Sequence, residues 1–295
     1  MGAANADEGD RVLDGKTLYV VSDLHMGDGG RRDNFWKYRE RFEDFLTEVV
    51  DKDGECRLIL AGDVFELWQC GFGFVVRKYL PLLERVIGLD VVYIPGNHDI
   101  DVLGFIGAEI ESPLIGLLRK EVRMVRGGRG IEIRHGHEFD QWNDPQRWIS
   151  VGKIAAIVAG EFEYEWGTEI RGESTESVLM EPAKAAFRQF VKEHRSVLPR
   201  TLARRLENGE NVDEFRRGLD TYHIDHPKTV LIGGHTHKAG WYGDWYVNCG
   251  AWQGKQAHYV EVTANGGITL LKWPEQEILE TQLWAEDGEE ENVES

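Results

Sequence analysis

The stretch LDVVYIPGNHD, residues 89–99, changes character abruptly at its Pro-Gly pair. The apolar, β-branched half before that pair is typical of a buried strand. Glycine and Asn97 suit the turn that must follow the strand. A turn does not require His98 or Asp99, so the stretch predicts a strand that ends in a functional loop.

Two earlier stretches have the same strand character, TLYVVSD at residues 17–23 and CRLILAGD at residues 56–63. Apolar residues recur at helical spacing over residues 35–50 and 74–88. The order strand, helix, strand, helix, strand predicts a parallel sheet covered by helices. An alternating stretch with GGRG at its centre, residues 121–137, predicts an antiparallel hairpin.

The chain divides by its pattern into several parts. Residues 141–227 carry almost no strand pattern but several helical segments, and strand patterns return after them. We therefore predict one α/β core over residues 17–140 and 228–275, interrupted by a helical cap insert over residues 141–227. Residues 1–16 are predicted to be an N-terminal extension, and residues 276–295 an acidic C-terminal tail.

Composition narrows the functional classes. The formal net charge of −18 disfavours nucleic acid as a partner, because that binding depends on cationic contacts with phosphates. Three cysteines without paired spacing indicate no disulfide framework. The N-terminal stretch lacks the basic-then-apolar order of a signal peptide, so a cytoplasmic location is predicted.

Polar side chains follow five of the predicted strands, at the point where each strand ends. Each group alone is compatible with an ordinary turn or cap. Ligands of open α/β sheets bind beyond the carboxyl ends of the strands, so the groups are expected to converge. The five groups are Asp23-Leu24-His25, Gly62-Asp63, Gly96-Asn97-His98-Asp99, His135-Gly136-His137 and Gly233-Gly234-His235-Thr236-His237.

The residue types explain what such a cluster could do. Imidazole, carboxylate and amide oxygens are ligands for divalent transition metals. Two cations about 3.5–4 Å apart can hold a phosphate group between them and deliver a hydroxide. One carboxylate has two oxygens, so Asp63 can bridge a pair of cations.

The motifs DLH, GD, GNHD, HGH and GHTH, in this order, resemble those of the calcineurin-like metallophosphoesterases. The resemblance implies an α/β sandwich of mixed β-sheets flanked by helices, here with a helical cap insertion. It also implies two divalent cations, with manganese expected first and iron, zinc or nickel as alternatives. One cation would be held by Asp23, His25, Asp63 and His237, and the other by Asp63, Asn97, His135 and His235.

The same resemblance implies in-line attack of a metal-bridging hydroxide on a phosphate ester or pyrophosphate bond. His98 would stabilise the phosphoryl group or protonate the leaving oxygen. Asp99 would orient His98, with a helix or turn cap as the alternative role for that carboxylate. His137 would contact the substrate or support a neighbouring ligand, and Asp140 could do the same.

Four arginines are candidate substrate contacts, with a solvated surface as their alternative role. Arg31 and Arg32 follow the first motif, and Arg188 and Arg195 share one face of a predicted helix in the insert. The expected partner is a small phosphorylated substrate, such as a nucleotide, sugar or lipid phosphate. A peripheral membrane contact through the cap is a further expectation.

A narrower resemblance comes from GDVFELW, residues 62–68, and from the position of the insert. Both are similar to the bacterial UDP-diacylglucosamine hydrolases. Those enzymes carry an arginine where this chain has His98, and HGD where it has HGH. A general phosphoesterase, a pyrophosphate hydrolase of that narrower type and a non-catalytic metal-binding scaffold therefore stay open.

Overall fold

The computed structural model describes residues 15–105, 116–140 and 214–282. The strands are β1 Leu18–Val21, β2 Arg57–Ala61, β3 Val91–Ile94, β4 Val122–Arg126, β5 Arg129–Ile133, β6 Thr229–Gly233, β7 Gly240–Tyr242, β8 Tyr246–Asn248, β9 Ala257–Val262, β10 Ile268–Trp273 and β11 Glu277–Gln282. The helices are α1 Asn34–Phe45, α2 Phe72–Ile87 and α3 Glu214–Asp225. A π-helical turn, Leu46–Val50, and a last turn, Asp51–Asp53, continue α1.

The first sheet has the strand order β11-β10-β9-β1-β2-β3. Strands β1, β2 and β3 run parallel, with Leu18 opposite Arg57 and Leu58 opposite Val91. Strands β9, β10 and β11 complete the sheet in antiparallel pairs. The parallel arrangement predicted for the first hundred residues is therefore confirmed.

The second sheet has the strand order β4-β5-β6-β8-β7. The predicted hairpin is present as the antiparallel pair β4 and β5, and β5, β6 and β8 run parallel. Backbone hydrogen bonds join the strand ends: the Asp23 N–H donates to Gly62 O at 3.0 Å, and the Gly234 N–H to His135 O at 2.9 Å. The motif-bearing ends therefore meet.

The described core has four layers, helix, sheet, sheet and helix. Strand β1 shows the alternation: Leu18 and Val20 pack between the two sheets, whereas Tyr19 and Val21 pack in the core formed with α1 and α2. On the far side, Leu219 of α3 lies in a smaller cluster with residues of the second sheet. Burial on both faces explains why these strands read as continuous apolar runs.

Two elements differ from the sequence-based division. Strand β11 begins at Glu277, inside the segment predicted as an acidic tail, and pairs along β10. Nearly all its residues are exposed, so it lacks the apolar pattern that would have revealed it. Helix α3 lies inside the predicted cap range, yet Tyr222 packs against the second sheet. Both belong with the core.

The rest of that division stays a prediction. The N-terminal extension up to residue 14, residues 141–213 of the cap and residues 283–295 of the tail lie outside the described residues. Within the described part of the chain, no helix combines the length and the apolarity that crossing a bilayer demands.

Candidate active site

The motif residues occupy an unusual backbone conformation directly after their strands. Asp23, His25, Asp63, His235 and His237 have φ angles of 57°, 49°, 50°, 71° and 59°. Residues other than glycine rarely adopt this left-handed region, which costs of order 1 kcal/mol or more per residue. Strained residues cluster at functional sites, and here five of the six such residues in the described part of the chain are candidate ligands, the sixth being Gln276.

Close packing between loops requires glycine at two positions of the site, Gly96 and Gly234. A Cβ atom on Gly96 would overlap the carboxylate of Asp63. A Cβ atom on Gly234 would overlap the carboxylate of Asp23. The glycines of the GNHD and GHTH motifs therefore leave room for the carboxylates of Asp63 and Asp23.

The first group of donor atoms gathers around Asp23. Its Oδ1 lies 3.7 Å from His25 Nε2 and 3.1 Å from His237 Nε2. The two imidazole nitrogens are 3.2 Å apart, and His25 Nε2 lies 3.6 Å from Asp63 Oδ2. These are the residues that the resemblance implies for one cation, and the structure brings them together.

The second group shares Asp63 with the first. Asp63 Oδ2 lies 3.2 Å from His135 Nε2, which lies 3.2 Å from Asn97 Oδ1. Asn97 Oδ1 is also 3.0 Å from His235 Nδ1. The other oxygen of Asp63 accepts a hydrogen bond from a backbone N–H at 2.8 Å, so Oδ2 faces both groups. This is the placement that a bridging carboxylate requires.

The donor set fits divalent cations. Asp23 Oδ1 is buried and makes no well-aligned hydrogen bond with the described residues, although His237 Nε2 lies 3.1 Å away. Its Oδ2 accepts from the His235 N–H at 3.1 Å and from the Ser22 hydroxyl. A buried oxygen is rarely left unpaired, and a cation beside the Nε2 atoms of His25 and His237 would satisfy it. Carboxylate with imidazole suits manganese, iron or zinc.

The pKa values show how strongly these charges depend on one another. Burial raises the pKa of Asp63, but His135 and His98 outweigh burial and hold it well below its usual range. Burial lowers the pKa of His135, but Asp63 outweighs burial and raises it to about 10. A cation that binds this imidazole must displace its proton, so metal binding and proton release are coupled.

His98 is held from two sides. Its Nδ1 lies 2.9 Å from the carboxylate of Glu66, and its ring stacks on Trp68 with centroids 3.7 Å apart. Glu66 also lies 2.9 Å from His25 Nδ1. Burial raises the pKa of Glu66, but hydrogen bonds with His25 and His98 outweigh burial and lower it to about 2. One charged carboxylate thus ties His98 to a candidate metal ligand.

Asp99 does not take the orienting role expected from the sequence. Its buried carboxylate is engaged elsewhere, and Glu66 occupies the position beside His98. Asp99 accepts hydrogen bonds from the N–H groups of Val64, Phe65 and Gly96 and from the Tyr93 hydroxyl, at 2.7, 3.0, 2.6 and 2.5 Å. It therefore fastens the loop after β2 to the loop after β3.

His137 and Asp140 lie next to residues of the second group. His137 is buried with its ring centroid 5.5 Å from that of His135. Burial, together with repulsion from His135, lowers the pKa of His137 to about 4, so its imidazole is neutral at pH 7. Asp140 Oδ2 lies 3.0 Å from His235 Nε2, the nitrogen opposite the one that faces Asn97. Asp140 thus orients a candidate ligand.

Of the four arginines predicted to contact the substrate, the structure describes two. Arg31 and Arg32 line a cleft that Glu66 also borders. Arg188 and Arg195 lie outside the described residues, so their role stays a prediction.

Glu66, Ser22 and Trp68 were not among the site residues predicted from the sequence. For Glu66 a signal was available: an acidic residue three positions after Asp63, inside the apolar stretch GDVFELW. Ser22 had only its position next to Asp23, and Trp68 had no local signal that separates a stacking partner from core.

A two-sheet α/β sandwich that gathers cation donors at its strand ends is the architecture of a metal-dependent phosphoesterase. Comparison with known proteins supports this class. Residues 16–239 match the family model described as calcineurin-like phosphoesterase. Because the match spans more than half of the chain, the chain belongs to the calcineurin-like phosphoesterase family. No curated protein matches it.

Two solved structures are similar to the chain. A mutant of a cold-active protein tyrosine phosphatase is 14% identical, with 90% of this chain and 80% of that chain covered and a TM-score of 0.42. A dimetal phosphatase from Danio rerio is 9% identical, with 88% and 96% covered and a TM-score of 0.41. At such scores neither carries an argument, so the family assignment rests on the family match.

Proposed function

We propose that the chain hydrolyses a phosphate ester or pyrophosphate bond of a small phosphorylated molecule with two divalent cations. The observation that carries this proposal is the shared oxygen of Asp63. Its Oδ2 lies 3.6 Å from His25 Nε2 and 3.2 Å from His135 Nε2, one nitrogen from each donor group. Cations held by these groups would activate water for in-line attack and neutralise charge on the phosphoryl oxygens.

The histidine of the GNHD motif supplies the remaining chemistry. His98 directs Nδ1 to Glu66 at 2.9 Å, while its Nε2 lies 3.9 Å from Asp63 Oδ2. With Nδ1–H held by the carboxylate, the protonated form of the ring carries its second proton on Nε2, which is the nitrogen that can donate it to the leaving oxygen and so return to neutral imidazole. The Trp68 stack keeps the ring in that plane. His137 is proposed as a neutral hydrogen-bonding group for the substrate.

A non-catalytic metal-binding scaffold is the alternative from another class. Both donor groups are complete, which either role would require. A scaffold has no use for His98, which is held by Glu66 and Trp68 beside the donors. This support for a proton-donating histidine favours catalysis.

Several finer parts of the proposal rest on sequence. They are the preference for manganese over iron, zinc or nickel, the cytoplasmic location and the exclusion of nucleic acid by the net charge of −18. The narrower UDP-diacylglucosamine hydrolase activity remains a prediction, because His98 departs from that group and the cap lies outside the described residues. Membrane contact through the cap has the same standing.

The test combines metal analysis with turnover. The chain is loaded separately with Mn²⁺, Fe²⁺, Zn²⁺ or Ni²⁺, and hydrolysis of p-nitrophenyl phosphate and its bis ester is measured. Asp63→Asn should lower both metal content and turnover, because Asp63 is shared by the two donor groups. Asp244→Asn, at an exposed position, is the matched control and should behave like the unchanged chain.

Two outcomes would count against the proposal. A chain that binds two equivalents of metal but hydrolyses neither compound, nor a wider panel of nucleotide, sugar and lipid phosphates, would favour the scaffold. An Asp63→Asn variant that keeps both equivalents would refute the shared carboxylate.

A further inference from the structure

A cleft of about 740 Å³ is bordered by Glu66, the carboxylate that contacts His25 and His98. One wall is the loop between β1 and α1, and the other is the segment between β2 and α2. Glu66 belongs to the second wall and holds the imidazole of His98. The volume lies in the range of roughly 300–1,000 Å³ that small-molecule sites occupy. Through Glu66 the cleft is connected to His98, the group proposed to protonate the leaving oxygen.

The loop wall is fixed by one buried carboxylate. Asp33 is 3% exposed and accepts hydrogen bonds from the N–H groups of Gly27 and Gly29, at 3.1 and 2.8 Å. It also caps α1 by accepting from the Trp36 N–H at 2.9 Å. Tyr79 of α2 donates its hydroxyl to the same carboxylate at 2.5 Å. These contacts set the shape of the loop without any ligand.

Cationic side chains lie along this loop of a strongly acidic chain. Arg31 and Arg32 line the cleft, and the end of the Lys78 side chain lies against the loop at Gly29. Asp28 is the exposed acidic residue of this loop, since Asp33 is buried. Besides Asp28, the cleft is bordered by the carboxylates of Asp33, which accepts from N–H and hydroxyl groups, and of Glu66, which contacts His25 and His98.

From this juxtaposition we infer that the cleft is the leaving-group subsite, and that Arg31 and Arg32 select leaving groups carrying an anionic group of their own. The inference rests on the proposed function, because it assigns the side of the cleft from the position of His98. Arginine binds both carboxylate and phosphate oxygens in forked geometry. The substrate class is therefore a phosphate ester whose leaving group carries a carboxylate or a second phosphate.

Matched aryl phosphates test this selection. The probes are 4-methylphenyl phosphate, 4-(carboxymethyl)phenyl phosphate and 4-(phosphonomethyl)phenyl phosphate, whose phenols are of similar acidity. The metal-loaded chain should hydrolyse the two anionic probes with a higher kcat/KM than the neutral probe, by about tenfold, the effect of one charge-assisted hydrogen bond. The carboxylate and phosphonate arms show which anion the cleft prefers.

Variants separate the cleft from the reaction itself. Arg31→Ala and Arg32→Ala should remove the advantage of the anionic probes, so that kcat/KM falls more on these two probes than on the neutral probe, and Arg31→Glu should reverse the preference. Arg217→Ala removes an exposed arginine of α3 and is the matched control. The melting temperature of Arg31→Ala should equal that of the unchanged chain, because the Asp33 carboxylate that fixes the loop accepts hydrogen bonds from Gly27, Gly29, Trp36 and Tyr79.

The outcomes distinguish the two proposals. Equal kcat/KM for the three probes, unaffected by Arg31→Ala or Arg32→Ala, would overturn the subsite while leaving the phosphoesterase activity established. Equal losses on neutral and anionic probes would also overturn it, because they would place the arginines at the phosphoryl group. No turnover of any probe, or of the compounds named above, would overturn the proposed function and the subsite with it.

Discussion

Replacing Glu66 by glutamine tests which carboxylate supports His98. Glutamine keeps the shape of Glu66 but removes the negative charge from both 2.9 Å contacts, one to His98 Nδ1 and one to His25 Nδ1. A hydrogen bond to a charged group contributes about 1.5–3 kcal/mol. If His98 needs that support in the transition state, kcat should fall by roughly 10- to 150-fold.

The assay must separate turnover from metal binding, because His25 is a candidate ligand. Loss of a carboxylate behind a metal-binding histidine lowers metal affinity by roughly 10- to 100-fold. Hydrolysis of p-nitrophenyl phosphate is therefore measured over a metal titration, and kcat is taken at saturation. Glu84→Gln is the matched control, since it makes the same change at an exposed position of α2.

A comparison with Asp99→Asn decides between the two carboxylates. The buried carboxylate of Asp99 accepts four hydrogen bonds, so the main effect of its replacement should be a lower melting temperature rather than a lower kcat. The reasoning would be refuted by a Glu66→Gln variant with unchanged kcat at saturating metal, together with a stably folded Asp99→Asn variant that has lost turnover. That pattern would return the orienting role to Asp99.

Three further predictions follow from the same geometry. Gly234→Ala should destabilise the fold by about 1–3 kcal/mol in urea, because its Cβ would overlap the Asp23 carboxylate, whereas Gly73→Ala has open space and should not. Equal midpoints for the two variants would contradict the close packing. Removing metal with EDTA should lower the melting temperature, since a ligand at 100 times its Kd stabilises the fold by about 2.7 kcal/mol, and an unchanged melt would argue against a metal site. Trp68→Leu should reduce kcat by roughly 2- to 13-fold at unchanged metal content, because a stacked ring pair contributes about 0.5–1.5 kcal/mol, and full activity would show that the stack does not position His98.

Tertiary contacts hold the loops of the site in their strained conformation. Five of the seven candidate ligands lie on left-handed backbone, and the loops that carry the ligands are fastened to one another by Asp99 and by backbone hydrogen bonds between strand ends. Strain of this kind persists only where surrounding contacts over-determine it. The site is therefore a property of several loops together rather than of any one motif.

Sequence alone determined the parts that depend on local periodicity and residue chemistry. Apolar runs buried on both faces predicted the parallel strands, and polar residues at the ends of those runs predicted where a ligand site would lie. The ligand types named there, such as Asp23, Asn97 and His135, are the ones that the structure brings within contact distance.

Only the tertiary structure decided which side chains meet across loops. Asp99 follows His98 directly in the sequence, and Glu66 lies in a different loop. Of these two carboxylates, only that of Glu66 lies beside the His98 imidazole. Strand β11 was not predicted, because an exposed edge strand has no apolar pattern. The cleft beside Arg31 was not predicted either, because two loops that are distant in the sequence form it. Residue spacing specifies the period of a strand or helix, but loop dihedrals depend on contacts between residues far apart in the chain.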